Sequence, residues 1–473
     1  MGTGEGMADA VPSEKLRQYL RELKPEARAL LAAELERALL RGEEPPGAAL
    51  ILKQLRGEAR STGRKMPRPG NPQRLFFAPL KPFIVDDAPE RKHRGRVPRA
   101  CLDPIWNWLC RDLAPQEART HIEQLTILLG ANEKRGAEQV ARAFQDLAES
   151  RMREALIAIK GDDKARRQLE FRIGTANAIE HLRETAAILR IRDALGVLAS
   201  RLPLSIGNLA DEQLENVRNL LESPVARHRD VFLHALLMVM SRLGSPWQLI
   251  RLAIAAAATD VAARVAETPY AAAVDVVLSD MERMSAHLRE SLKVRHDDVA
   301  EILKDLHDAV RTLRTEMDLS GDSAWARQLA ALRTEVSRAL QAEIDDLPGQ
   351  VRRLLRPRAA KEARAESVVD ASEVEEIEGR LALAATCRNY ASELAISEAT
   401  RRVHSDLQNY FDTGTQQLLD GLRAAPAAER SFRQSQLDAA VKFCAKLFGT
   451  DYASTLARAA DVAAKGEQKA AKR

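Results

Sequence analysis

The sequence predicts an all-α protein, organised as a multi-helix bundle or a stack of helices. Apolar residues recur every three or four positions through most of the 473-residue chain, which is the spacing of one face of an α-helix. Aromatic side chains make up only 4% of the residues, and the abundant Ala, Leu, Arg and Glu are good helix formers that favour thin layers of packed helices. We expect helices over about two-thirds of the chain and no sheet of more than two short strands.

Charge and cysteine content narrow the class of protein. The chain carries 72 basic and 68 acidic residues, so we expect a mixed-sign surface on which any basic patch is local. Its four cysteines form no CxxC pair, which favours reduced thiols and a cytoplasmic location. There is no signal-peptide core and no apolar run near the roughly 20 residues that span a bilayer, so we expect no transmembrane segment. The abundant Ala and Arg suggest a bacterial chain.

Residues 1–60 predict an N-terminal helical segment. A first helix is interrupted at Pro25, a second ends at Gly42, and a third covers residues 48–60, since Pro and Gly are the residues that most often end helices. The stretch over residues 60–71 contains Gly and Pro but almost nothing to bury. We therefore expect it to be mobile.

Residues 72–113, called the strap from here on, differ from the rest of the chain. Six prolines prevent a long helix from running through them: Pro72, Pro79, Pro82, Pro89, Pro98 and Pro104. Five large rings lie in the same stretch: Phe76, Phe77, Phe83, Trp106 and Trp108. Because large rings anchor an irregular segment to a surface, we expect the strap to pack across helices of this chain or onto a partner. With the basic residues before it, the strap forms a predicted region 61–113.

The strap also carries the candidate partner-binding residues. Between residues 56 and 99 the chain has twelve Arg or Lys against four Asp or Glu, an excess that suits an acidic partner. The candidates are Phe76, Phe77, Phe83, Arg74, Lys81, Arg91, Lys92, Arg94, Arg96 and Arg99. Buried rings would make the strap a brace, whereas partly exposed rings rimmed by cations would make it a docking site. Bracing is the commoner use of such rings, and Trp106 and Trp108 are assigned to the core.

Residues 114–268 predict a domain of stacked helices. Gly130, Gly161 and Pro203 mark helix ends. Three pairs of a hydroxyl residue followed by Pro are typical helix starts; they stand at 223–224, 245–246 and 268–269. Their similar spacing indicates stacked helices of similar length.

Residues 269–347 predict a long antiparallel coiled-coil hairpin. Apolar residues over 274–317 keep a three-or-four spacing with no Pro or Gly between them, which predicts one helix of roughly 70 Å at about 1.5 Å per residue. A turn at 319–322 precedes a second apolar stripe over 325–347. Extra apolar positions such as Leu303 call for further helices, which the C-terminal part of the chain or a homodimer would supply.

The rest of the chain predicts a linker, a helical domain and a tail. Residues 348–371 are basic, Ala-rich and low in large apolar side chains, as a linker would be. Residues 372–460 predict a C-terminal helical domain. Residues 461–473 form a polar, basic tail that we expect to fray.

No motif in the sequence predicts catalysis or a cofactor. There is no GxxxxGK[ST] loop, no HExxH pair and no GxSxG turn. An acidic cluster over 296–308 offers oxygens to a hard cation, but its interleaved Lys and Arg are typical of a solvated helix face. His228 and His234 flank an aspartate without a nucleophile nearby, and a buried histidine is the commoner case. Basic neighbours could lower the thiol pKa of Cys101 and Cys110, yet nearby tryptophans favour packing.

We therefore predict a non-catalytic cytoplasmic scaffold or adaptor whose helical surfaces hold protein partners. The alternative is a nucleic-acid-binding protein that uses the basic aromatic segment 56–99, since cations with interleaved rings bind single strands by phosphate contacts and base stacking. A steep salt dependence of binding would separate the two classes, because phosphate contacts release counterions.

Overall fold

The computed structural model has an all-α fold, which confirms the predicted class. It describes residues 19–20, 23–40, 43, 45–61, 71–90, 94–294, 298–320, 323–356 and 368–465. Of these residues, 79% are helical, and the sheet that they contain has two short strands. No helix within these ranges is long and apolar enough to cross a membrane.

Twenty α-helices make up the described part of the chain. In the first half they are α1 (Pro25–Leu40), α2 (Ala48–Ser61), α3 (Pro72–Phe76), α4 (Leu102–Trp108), α5 (Pro115–Gly130), α6 (Lys134–Ala158), α7 (Asp163–Ile173), α8 (Ala178–Arg201), α9 (Asp211–Leu221) and α10 (Arg229–Met240). In the second half they are α11 (Ile250–Ala257), α12 (Ala262–Val265), α13 (Ala271–Val294), α14 (Val299–Glu316), α15 (Ala324–Ile344), α16 (Leu347–Leu355), α17 (Ala371–Asn389), α18 (Ser397–Arg423), α19 (Ala427–Phe448) and α20 (Thr450–Lys465).

Shorter elements lie mainly in the strap. They are 3₁₀ helices over Ala78–Phe83, Arg99–Cys101 and Pro246–Leu249, a π-helical turn over Leu109–Leu113, and strands β1 (Ile84–Val85) and β2 (Val97–Pro98). The two strands pair in parallel, with Ile84 opposite Val97. The strap is thus a succession of turns with no long helix, as its prolines require.

The chain divides into two compact units. The first comprises Met1–Ser205 and Asn216–Arg242. At its centre α6 packs against both α5 and α8, and α8 packs in turn against α10. The buried stripe of α6 repeats at three- and four-residue intervals, as helix periodicity requires; its members include Ala137, Ala141, Phe144, Ala148 and Met152.

The second unit comprises Ile206–Glu215 and Leu243–Arg473. Helix α13 packs against α11, α14 and α15. Helices α17 to α20 pack on one another around buried side chains such as Leu407, Phe411 and Phe443. The stretch 372–460, predicted as a C-terminal domain, lies within this larger unit.

The predicted long helix over 274–317 is wrong. Helix α13 ends at Val294 and a separate helix, α14, begins at Val299. The His287 Nε2 atom lies 3.3 Å from an Asp298 carboxylate oxygen, whereas eleven residues of continuous helix would separate them by about 16 Å. The chain therefore reverses, and α14 returns along α13. This reversal buries the apolar stripes of both α13 and α14. A single continuous helix would leave these stripes exposed.

The predicted antiparallel hairpin is corrected as well, because α15 runs parallel to α13. Two hydrogen bonds fix the start of the pairing: Trp325 Nε1 donates to Asp275 Oδ1 at 2.8 Å, and Gln328 Nε2 donates to Glu282 Oε1 at 2.7 Å. Further along, Arg289 pairs with Glu335 at 2.5 Å. Residue numbers rise together in the two helices. Helix α17 then packs on α14 and α15, so helices of the same chain complete the bundle.

The predicted linker over 348–371 begins with a helix. Helix α16 buries Leu347, Val351 and Leu355, and Pro348 stands in its first turn, where a missing N–H costs nothing. Residues 357–367 of the linker, residues 466–473 of the tail and residues 62–70 of the stretch expected to be mobile lie outside the described residues.

Candidate functional site

The phenylalanine rings of the strap lie in the core of the first unit. Phe76 is 0% exposed, and Phe77 and Phe83 are also buried. The Phe76 ring centre lies 5.0 Å from that of Phe144 on α6 and 5.4 Å from that of Trp106, which is the range of favourable ring pairs. This arrangement is the bracing one, so these rings are not exposed anchors for a partner.

The path of the strap is fixed by side chains of α6, of α8 and of the residue before α8, which form hydrogen bonds with carbonyl oxygens of the strap. Buried Gln145 on α6 donates from Nε2 to the Phe76 carbonyl at 2.8 Å. Asn177, just before α8, donates from Nδ2 to the Glu90 carbonyl at 2.7 Å. The His181 Nε2 atom on α8 lies 3.0 Å from the Pro89 carbonyl oxygen. These bonds give hydrogen-bond partners to backbone carbonyls of an irregular segment, and the Phe76 carbonyl is bonded in a buried position.

Some of the candidate cations of the strap have partners within the described part of the chain. Exposed Arg99 pairs with Asp86, and Arg96 directs a guanidinium nitrogen at the Met240 sulfur, 3.1 Å away. The other described candidates are exposed side chains: Arg74, Lys81 and Arg94. Arg91 and Lys92 lie outside the described residues. Arg96 and Arg99, two of the five described candidate cations, therefore have partners within the fold.

A groove of about 280 Å³ runs beside the strap, between its 3₁₀ turn and helices α6 and α8. Its walls are largely apolar, with Leu75, Pro82 and Met238 among the lining residues. At its rim Arg142 pairs with Asp193 at 3.4 Å, while Arg192 pairs with Asp146 at 2.6 Å. Each rim arginine has an acidic partner and the remaining charged lining residue is Glu138, so among the described residues the groove offers no unpaired cation to an occupant.

Helix α7 presents the most exposed phenylalanine of the described chain. The helix begins at the Asp162 cap and ends at Gly174, which has the left-handed conformation of a C-terminal cap. Leu169 and Ile173, four residues apart, form its buried face. Phe171 lies two positions from each, on the opposite face, and is 87% exposed.

Basic side chains share an open surface depression with the Phe171 ring. Lys164, Arg167 and Arg172 line the same open depression, and the side chains of Lys164 and Arg167 pair with no other residue in the described ranges. Arg172 contributes, after Arg111, to lowering the pKa of Asp112. Ring density and basic charge along the sequence point to the strap and not to this face. A helical-wheel view of residues 163–173 would have found it, because Phe171 is the one large apolar residue outside the Leu169–Ile173 stripe.

The catalytic and metal interpretations receive no geometric support. His234 is buried, with Nε2 3.5 Å from a carboxylate oxygen of Glu184 on α8, as a structural histidine would be. Burial raises the pKa of the Cys101 and Cys110 thiols to about 11, which agrees with the packing role that the nearby tryptophans favour and not with activated thiols. Among the described residues no three His, Cys, Asp or Glu side chains could hold a metal ion; His296 and Asp297 are outside that set.

Comparison of the chain with protein-family models, with curated proteins and with solved structures finds no match. Function must therefore be argued from the chemistry of these surfaces.

Proposed function

We propose that this chain is a non-catalytic cytoplasmic scaffold or adaptor that binds an acidic protein through the outward face of α7. The supporting observation is the Phe171 ring, 87% exposed, beside Lys164, Arg167 and Arg172. Burial of a phenylalanine ring contributes about 1.5–3 kcal/mol. Within the described fold α7 makes almost no use of this ring, so it is available to a partner.

The charges around Phe171 define the chemistry of that partner. The depression is lined by three cations and by one carboxylate, that of Asp163. Aromatic and arginine side chains are the usual anchors of protein interfaces. A matching surface has an apolar pocket for the ring and an acidic rim, which also speeds association by electrostatic steering.

Nucleic acid is the second class of partner that basic residues would suit. Binding of a single strand uses several exposed rings, on which successive bases stack. The strap rings Phe76, Phe77 and Phe83 are buried, and α7 offers one ring on an 11-residue helix. A single ring suits an anchor in a protein pocket better than a track for a strand. The segment 56–99 is thus the weaker candidate, and nucleic acid is an outcome of the test below.

The test captures partners on the full chain and on two variants of α7. We expect Phe171→Ala, and separately Lys164→Glu with Arg167→Glu, to lose the same acidic protein that the unmodified chain retains. The purified partner should then bind the unmodified chain with an affinity that falls as salt rises, since surface charges are screened. Calorimetry should show at least a tenfold loss for Phe171→Ala, equivalent to about 1.4 kcal/mol.

The matched control is Ile127→Ala, which removes another exposed apolar side chain of the first unit, 70% accessible on α5. It should leave binding unchanged, and all variants should melt at the same temperature as the unmodified chain. Equal binding by the Phe171 and Ile127 variants would contradict the proposal. Capture that disappears on nuclease treatment, with direct binding to a poly-dT oligonucleotide, would establish the nucleic-acid function instead.

A further inference from the structure

The second unit has an open, basic cavity at its surface, between the end of α17 and the first turns of α18. Its volume is about 640 Å³, and its polar lining includes Arg388 from α17 and Arg401, His404, Ser397, Ser405 and Gln408 from α18. No acidic side chain is among the described residues that line it. Two helices thus bring three basic side chains to one cavity, together with hydroxyl and amide groups.

The two arginines of this cavity are uncompensated, unlike their neighbours. Arg402 pairs with Asp345 at 2.8 Å and Arg314 pairs with Glu393 at 2.7 Å. Arg388 and Arg401 have neither an ion pair nor a hydrogen bond from their side chains to another described residue. Adjacent residues on α18 therefore differ: Arg402 is neutralised by the fold, and Arg401 faces the cavity with its charge unmatched.

The connection that forms one wall of the cavity is held in place by α15. Arg333 donates from Nε to the Glu393 carbonyl at 2.6 Å, and Ser337 donates from its hydroxyl to the Ala395 carbonyl at 3.0 Å. These bonds hold the backbone that joins α17 to α18, and with it the main-chain positions of Arg388 and Arg401, before any ligand arrives. Pre-organisation of this kind reduces the entropy lost on binding.

We infer that this cavity binds a phosphate monoester or a similar divalent oxyanion, through Arg388, Arg401 and His404. A guanidinium group matches the oxygens of a phosphate with two parallel hydrogen bonds, and the hydroxyls of Ser397 and Ser405 add further donors. With a volume of about 640 Å³, the site also has room for a larger molecule that carries the phosphate. The inference concerns the second unit and does not depend on the proposed function of α7.

The first experiment titrates the full-length chain with inorganic phosphate by isothermal calorimetry at constant ionic strength. We expect saturable binding that falls at least tenfold in Arg388→Gln and in Arg401→Gln. Arg402→Gln is the matched control and should bind phosphate within about twofold of the unmodified chain. Equal losses in all three variants, or no saturation at millimolar phosphate, would overturn the inference, provided that their melting temperatures agree.

The source of the phosphate is tested with two larger probes. A phosphoserine peptide and a sugar phosphate are each titrated beside their unphosphorylated forms. Tighter binding of one of them than of inorganic phosphate identifies the carrier class. Binding that does not distinguish phosphorylated from unphosphorylated probes contradicts the inference.

The pH dependence of sulfate binding tests the role of His404. Burial, and next the charge of Arg388, lower the pKa of the His404 imidazole; Arg401 is the other charged group of the cavity. A bound anion favours the protonated imidazole, so sulfate affinity should rise as the pH falls from about 8 to about 5, by at most tenfold per pH unit. His404→Gln should remove this dependence. An unmodified chain with pH-independent affinity would exclude His404 from the site.

Discussion

The strap and helix α7 lie next to each other in the first unit and use phenylalanine in opposite ways. Helix α7 packs against α4 of the strap and against α8. The strap is irregular, yet Phe76 is completely buried, whereas α7 is a regular helix with Phe171 almost completely exposed. The strap has many apolar neighbours and three carbonyl attachments, while α7 has one buried stripe and a polar opposite face.

This difference shows that a high density of aromatic residues in one stretch of sequence does not identify a binding surface. Rings gathered in an irregular segment stabilise it, because turns without a continuous hydrogen-bond ladder rely on side-chain packing. An aromatic ring that lies outside the buried apolar stripe of its helix does not stabilise the fold in this way. Whether an aromatic ring is available to a partner therefore depends on whether its residue lies inside or outside the buried stripe that the helical repeat defines.

The largest expected effect is loss of the ring at the centre of the strap. Phe76→Ala should lower the free energy of unfolding by about 3–5 kcal/mol, because the fully enclosed site is left with a cavity. The identical change in α7, Phe171→Ala, should stay within about 0.5 kcal/mol. Urea unfolding followed by circular dichroism measures both. Similar midpoints for the two variants would contradict the contrast between the segments.

The second-largest effect on stability is expected when a side chain that donates a hydrogen bond to a strap carbonyl is removed. Gln145→Ala leaves the Leu75 and Phe76 carbonyls without their donor, which lies 3.3 Å and 2.8 Å away respectively. We expect a loss of about 1–3 kcal/mol, the usual cost of a buried polar group left unmatched. Gln168→Ala, at an exposed position of α7, is the control and should change the unfolding midpoint little. A neutral Gln145 variant would show that ring packing alone holds the strap.

A smaller effect on stability is expected for substitution of Gly95, which lies between Arg94 and Arg96 in the strap. Gly95 has φ +71°, and a Cβ atom there would lie 2.6 Å from Leu237 Cδ1. Gly47 has a similar φ of +74° with no atom within 4 Å of the same position. Both Gly→Ala variants incur the backbone cost of the left-handed region, but Gly95→Ala should lose about 1 kcal/mol more because Leu237 must move. Equal melting temperatures would show that the leucine adapts freely.

The smallest effect is expected from a surface charge of the strap. Lys81 is exposed, and Lys81→Ala should change the free energy of unfolding by less than about 0.5 kcal/mol. Arg99→Ala, which removes an exposed pair with Asp86, should cost no more than about 1 kcal/mol. A larger loss in thermal unfolding for either variant would mean that the strap is held by its charges as well as by its carbonyls.

Much of the architecture follows from periodicity and composition, and the failures have a common physical cause. The spacing of apolar residues predicts where helices form. It does not show whether one helix continues or the chain turns back into a second helix, because the three-or-four spacing can persist across the turn. Residues 295–298 are Arg-His-Asp-Asp, and His and Asp are weak helix formers, a signal that the uninterrupted stripe outweighed. The parallel course of α15 depends on contacts between distant residues, such as Trp325 with Asp275, which no local pattern records.

The candidate site was predicted less well than the fold. Ring density and basic charge both pointed to the strap, where Phe76, Phe77 and Phe83 are buried and Arg99 is paired. Whether a charge is paired depends on residues brought together by folding, so sequence alone could not separate Arg401 from Arg402. Phe171 was within reach, since its departure from the α7 stripe requires only the helical period.

The carbonyl attachments of the strap have a consequence for substitutions within it. Gln145, Asn177 and His181 meet main-chain oxygens, and a carbonyl is present at every residue. The attachments thus specify where the strap runs without specifying the side chains that it displays. A substitution at an outward position of the strap therefore leaves all three attachments in place, whereas a substitution of Gln145, Asn177 or His181 removes one of them.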